Sequence, residues 1–162
     1  MSTRSSFVSL AACLLVAAGC GGAAKIPTPA SIAIPDQLGR QAVEIALLSA
    51  VVVRPAPAVF DPREELPAEQ YEQLVWNYYL TTPSTGGWTV ESRKPGIITA
   101  IIKRSGYHLR TAVRYDDRTA RASIVDSSGL NQTADSIHGN AAAWILKLEG
   151  RIGTELQQMA AR

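Results

Sequence analysis

Two cysteines and two histidines are all that 162 residues contain of the thiolate and imidazole metal ligands. Cys13 lies in the apolar N-terminal stretch, so a chain trimmed of that stretch keeps Cys20 alone and has no intramolecular disulfide. His108 and His138 stand 30 residues apart, without the short spacing of a zinc site. No glycine-rich phosphate loop and no Gly-x-Ser-x-Gly nucleophile elbow occurs. The reading is therefore of a chain with no metal and no cofactor. An excess of charge is missing too. Sixteen basic residues against fourteen acidic give +2, far from the basic footprint of a nucleic-acid binder, and no nucleic-acid partner is expected. Nor is there an apolar run of the roughly 20 residues that a membrane-spanning helix needs.

What is present at the N-terminus is a leader pattern. Arg4 supplies a positive start, an apolar stretch of about ten residues runs from Phe7 to Val16, and Ala17-Ala18-Gly19-Cys20 follows. Small residues let an extended chain enter a peptidase, and a thiol at the cut can take lipid. The pattern reads as a lipoprotein signal peptide over 1–19 with Cys20 as the lipidation site, palmitate being the expected kind of acyl group. Several acyl chains, at about 0.8 kcal/mol per buried methylene, make a stable anchor. In Gram-negative lipoproteins an Asp after the cysteine favours the inner membrane. Gly21 stands there, which points to the periplasmic side of the outer membrane. Residues 20–35, with Pro27, Pro29 and Pro35 among small residues, read as a flexible tether.

Residues 36–162 read as one α+β domain. Asp36 is a candidate cap for a first helix with Leu38, Ala42, Ile45 and Leu48 along one face, ending before Arg54-Pro55. Pro67, Glu69 and Glu72 open a second helix whose Tyr71, Leu74, Val75, Tyr78 and Tyr79 make one stripe. From Trp88 the period becomes two. Trp88, Val90 and Ser92 alternate with Thr89, Glu91 and Arg93; strands follow at 97–104, 107–115 and 120–126, joined by hairpin-length turns. Such connections force antiparallel pairing, so a four-stranded meander is expected. A last helix carries Ala141, Trp144, Ile145, Leu148, Ile152, Leu156 and Met159 on one side. N-terminal and C-terminal helices should pack on one face of the sheet.

Gly87-Trp88, Pro95-Gly96-Ile97, Ala100, His108, Tyr115-Asp116, Asp126-Ser127, Leu130, Ile137-His138, Asn140, Trp144, Leu148 and Ile152 carry a resemblance. On these positions the chain resembles a family of small bacterial lipoproteins whose function is not established. The resemblance implies a fold and no reaction. Where that family tends to have Tyr and Asn after the matching Asn140, this chain has Ala141 and Ala142, and 54–87 reads as an insertion relative to the pattern.

Two candidate sites follow. Between Trp88 and Val125 eight basic residues face three acidic ones, whereas 36–80 holds seven acidic against three basic. Strand alternation should gather Arg93, Lys103, His108, Arg110, Arg114 and Arg121 on the sheet face away from the helices, a surface for an anionic glycolipid, an anionic polymer or an acidic envelope protein. The competing use of such charge is protection of a solvated sheet against aggregation, in a purely structural envelope protein. The second candidate is a hydrolase using Ser127 with His108 or His138 and Asp126, the residue types of an acyl-transfer triad. Turn hydrogen bonding accounts for these residues more simply, and no catalytic residue is assigned.

Overall fold

The computed structural model describes residues 22–82 and 84–162; the leader and Cys20 lie outside them. The chain runs β1 (Ala23–Lys25), β2 (Ile32–Ala33), α1 (Arg40–Val52), α2 (Ala68–Val75) continued by a π-helical turn (Trp76–Leu80), β3 (Thr89–Lys94), β4 (Ile97–Arg104), β5 (Tyr107–Tyr115), β6 (Thr119–Ser128), β7 (Ser136–His138) and α3 (Gly139–Ala160). The fold is α+β, as the change of period implies. The meander β3-β4-β5-β6 forms, but the sheet has five strands, in the order β2-β6-β5-β4-β3, all antiparallel.

The additional strand comes from the expected tether. Ile32 and Ala33 pair with Ala120 and Thr119, and β1 pairs with β7 in a small second sheet. Gly139 N–H also donates to the Gly22 carbonyl at 3.0 Å, and Ala30 N–H to the buried Glu149 carboxylate at 2.9 Å. From residue 22 onward the segment is thus part of the fold rather than a free linker. Its prolines fall outside the two short strands, where the missing N–H interrupts no ladder.

Helix α1 is buried on all sides, from Ala42 to Val52 without a break. It was expected to bury one face. The physical reason is that the segment after it folds back over it: Ala56, Phe60, Tyr71, Val75 and Tyr79 join the same core, and the Tyr79 and Ser49 hydroxyls share a 2.7 Å hydrogen bond. A helix that is apolar all round has to be enclosed, and α3 and the sheet cover it together with the segment from Ala56 to Tyr79. Helix α3 lies beside α1 and buries Leu148, Ile152 and Leu156 completely. Each such side chain contributes roughly 1.5–3 kcal/mol of transfer free energy. The sheet adds Ile98, Ala100, Ile102, Leu109, Val113, Ala120 and Ala122 to the shared core.

A candidate anion-binding face on the sheet

Register decides which basic residues lie on the open face. Lys103 pairs with His108, Ile101 with Arg110, and Arg114 with Arg121, while their strand neighbours Leu109 and Val113 point into the core. So Lys103, His108, Arg110, Arg114 and Arg121 share the face away from the core.

Arg93 does not. The β3–β4 register slips between Val90 and Ser92, leaving Glu91 as an extra residue, and Arg93 then pairs with the core residue Ile98. One inserted residue reverses the side on which all later side chains fall. Arg93 thereby turns toward the helices. Its Nε donates to Glu44 of α1, and its two terminal nitrogens donate to both oxygens of Glu72 at 2.7 and 2.9 Å. The bidentate hydrogen bonds to Glu72 hold the guanidinium protonated well above its ordinary range, while burial works against them. The Tyr115 hydroxyl donates to the other oxygen of Glu44 at 2.7 Å, and burial raises the pKa of that phenol above its usual value. This is a part-buried ion pair with a satisfied acceptor, Glu44 being its buried member, and it fixes α1 and α2 to the sheet. It is not part of an anion-binding face.

On the open face Arg110 is also occupied. It donates to Glu91 through Nη2 at 2.8 Å and through Nε at 2.5 Å, and Nη1 donates to Asp126 at 2.5 Å. Both carboxylates reach it from bulges: Glu91 is the extra residue in β3, and in β6 the register skips Val125 between Ile124 and Asp126. His108 Nε2 lies 2.8 Å from the second Asp126 oxygen. The hydrogen bonds from His108 and then Arg110 keep the Asp126 carboxyl below the usual carboxylate range, and Arg110 does the same for Glu91. The centre of the face is therefore neutralised from within.

Arg114 and Arg121 remain. They stand directly opposite one another across β5 and β6, both exposed, and their hydrogen bonds go to Ser123 at 3.2 Å and Ser31 at 3.4 Å. Among the described residues neither guanidinium lies within ion-pair distance of a carboxylate. Like charges directly opposed on a sheet repel. A concavity of about 640 Å³, lined also by Thr28, Pro29, Tyr115 and Asp116, opens beside them, and the Asp116 carboxylate is engaged by the Arg118 and Thr119 backbone N–H groups.

Of the triad candidate, His108 and Asp126 meet at 2.8 Å, but the nucleophile does not join them. Ser127 pairs with Leu109 and so lies on the side of the sheet opposite His108; its hydroxyl donates to Gln132 at 2.6 Å. His138 accepts from Asn140 N–H through Nδ1 at 3.3 Å and serves as the N-terminal cap of α3. Among the described residues no three His, Cys, Asp or Glu side chains converge as a metal site requires, and no helix is long and apolar enough to cross a membrane.

Sequence reasoning missed the Glu44–Arg93 pair. Its signal was a single carboxylate inside the apolar run from Ala42 to Val52, since an acid so placed needs a partner. No family model matches the chain, and neither does any curated protein or solved structure.

Proposed function

We propose that this chain is an exported envelope lipoprotein, anchored by acyl chains on Cys20, whose domain binds a phosphate-bearing glycolipid without carrying out a reaction. The observation that carries the binding part is the opposed pair Arg114 and Arg121, exposed and, among the described residues, without a carboxylate at ion-pair distance, whereas Arg110 at the centre of the face is held by two. Guanidinium groups bond phosphate oxygens in a planar, bidentate manner, and an anion between the two would relieve their repulsion. Lys103, exposed on the same face, adds to the field.

The anchor rests on Ala17-Ala18-Gly19-Cys20 and on the residues shared with small bacterial lipoproteins. Gly21 after the cysteine favours the periplasmic side of the outer membrane. The fold adds a constraint to this reading. Gly22 and β1 are hydrogen-bonded into the domain, and two residues of extended chain reach only about 7 Å. A lipid on Cys20 would hold the domain close against the membrane surface.

Palmitate labelling of the full-length protein and of Cys20→Ala tests the anchor. Label on the first and not the second is expected, and an unlabelled native chain would refute it. Immobilised phosphate-bearing glycolipid tests the face: Arg114→Glu with Arg121→Glu should lose about tenfold or more in affinity while keeping the label. Equal binding would remove the face assignment and leave a structural envelope protein. The hydrolase reading has no geometric support, since Ser127 and His108 lie on opposite sides of the sheet.

A further inference from the structure

On the other side of the molecule, away from the sheet's open face, a second group of cations surrounds a pocket of about 380 Å³. It is lined by Gly86 and Trp88 before β3, Ile102 and Arg104 at the end of β4, and Trp144, Lys147 and Arg151 of α3. Positions 144, 147 and 151 are three and four apart, so one face of α3 presents all three side chains.

The apolar part is rigid. Trp88 is fully buried at the base, and the Trp144 ring is stacked on Tyr107 at 5.7 Å between centroids. The polar part is cationic only. Arg104, Lys147 and Arg151 have no carboxylate within ion-pair distance among the described residues. Arg151 is the most telling of the three. Its Nε is buried and has no hydrogen-bond partner, and burial pulls its pKa below the ordinary guanidinium range. A half-buried cation without a counter-charge is costly to maintain.

The backbone around the pocket is shaped to let these groups in. A Cβ at Gly86 would lie 2.7 Å from an Arg151 terminal nitrogen and 2.1 Å from a Val53 methyl. Gly87 adopts φ +83° beside the Arg104 guanidinium. Glycine at both positions allows guanidinium groups from α3 and from β4 to approach one loop closely. The contrast with Arg110 and Arg93, each held by two carboxylates, is complete.

We propose that this pocket binds a small amphipathic organic anion, its acid group held by Arg104, Lys147 and Arg151 and its apolar body resting against the Trp144 ring. An acid group supplies the counter-charge that the Arg151 guanidinium lacks, and Trp144 supplies the flat apolar wall that a simple inorganic anion would not use. The inference is independent of lipidation and of the Arg114 and Arg121 pair.

The test is a titration of the full-length protein in detergent with the fluorescent sulfonate 1-anilinonaphthalene-8-sulfonate, with its uncharged relative N-phenyl-1-naphthylamine beside it. One saturable site per chain is expected, with the uncharged compound binding about tenfold or more weakly. Lys147→Glu, at the exposed rim, and Arg151→Gln should each lower affinity by about tenfold with Tm retained. If Arg151→Gln fails to fold, Lys147→Glu alone decides. Arg114→Glu should change nothing. Absence of a saturable site, equal affinity for the uncharged compound, or unchanged binding in Lys147→Glu would each overturn the proposal. Competition by millimolar inorganic phosphate as effective as by an aromatic carboxylate would overturn the amphipathic ligand class.

Discussion

Arg110 and Arg151 carry the same guanidinium in opposite circumstances. Arg110 lies on an open sheet where water could solvate it, yet two bulges bring Glu91 and Asp126 onto it. Arg151 is half-buried, where a counter-charge would matter most, and has none within ion-pair distance among the described residues. Arg93 shows what burial normally demands, with Glu44 and Glu72 both in place. The comparison separates cations that hold the fold together from cations left available for a ligand. Net charge along the sequence counts them alike.

The comparison breaks most severely at Glu44. Replacing it by Gln leaves Arg93 with Glu72 alone and removes the charged acceptor of Tyr115 in a site where Glu44 is 6 % exposed. Loss of a hydrogen bond to a charged group costs about 1.5–3 kcal/mol, so urea unfolding of Glu44→Gln should show a correspondingly lower midpoint with an unchanged slope. A midpoint within error of the native chain would show the pair to be incidental.

Gly86→Ala sharpens the other side. The added methyl meets Val53 and Arg151, and overpacking of this kind costs about 1–3 kcal/mol. Because Arg151 has to move, sulfonate binding should weaken together with thermal stability. Weakened stability with intact binding would place the ligand elsewhere.

The smallest effect belongs to Asp126→Asn. Its folded-state pKa is lowered by His108 and Arg110, so the native carboxylate stabilises the fold above the ordinary Asp pKa of about 3.9, and that contribution is lost as pH falls through the lower folded value. Asn should therefore lower stability slightly at neutral pH and flatten the acid limb below about pH 4 by the same amount, both effects small because the pair is largely solvated. Freed from one carboxylate, Arg110 should also raise the affinity of the open face for phosphate. An identical acid limb in the two proteins would show that Asp126 is not held by its neighbours.

The strands and α3 were legible because alternation and a spacing of three or four report one buried face each, and Leu148, Ile152 and Leu156 lie where that spacing puts them. The side on which Arg93 and Asp126 fall was not legible, because a bulge is an irregularity in pairing and leaves no fixed mark in one strand's own residues. The enclosure of α1 was half visible. Its run from Ala42 to Val52 is apolar except for Glu44 and Ser49, whose side chains make polar contacts with Arg93 and Tyr79. That residues 54–87 would cover it depended on contacts such as Ser49 with Tyr79, 30 residues apart.

The amino-acid sequence by itself determined the α+β class, the meander and the amphipathic final helix, since each follows from periodicity within a short stretch. Only the tertiary structure decided that residues 22–35 join two sheets, that Arg93 turns inward, and that Arg104, Lys147 and Arg151 meet around two tryptophans. The physical reason is common to all three. Local pattern controls backbone conformation, whereas the partner of a charge or of a sheet edge is set by distant segments competing for one core.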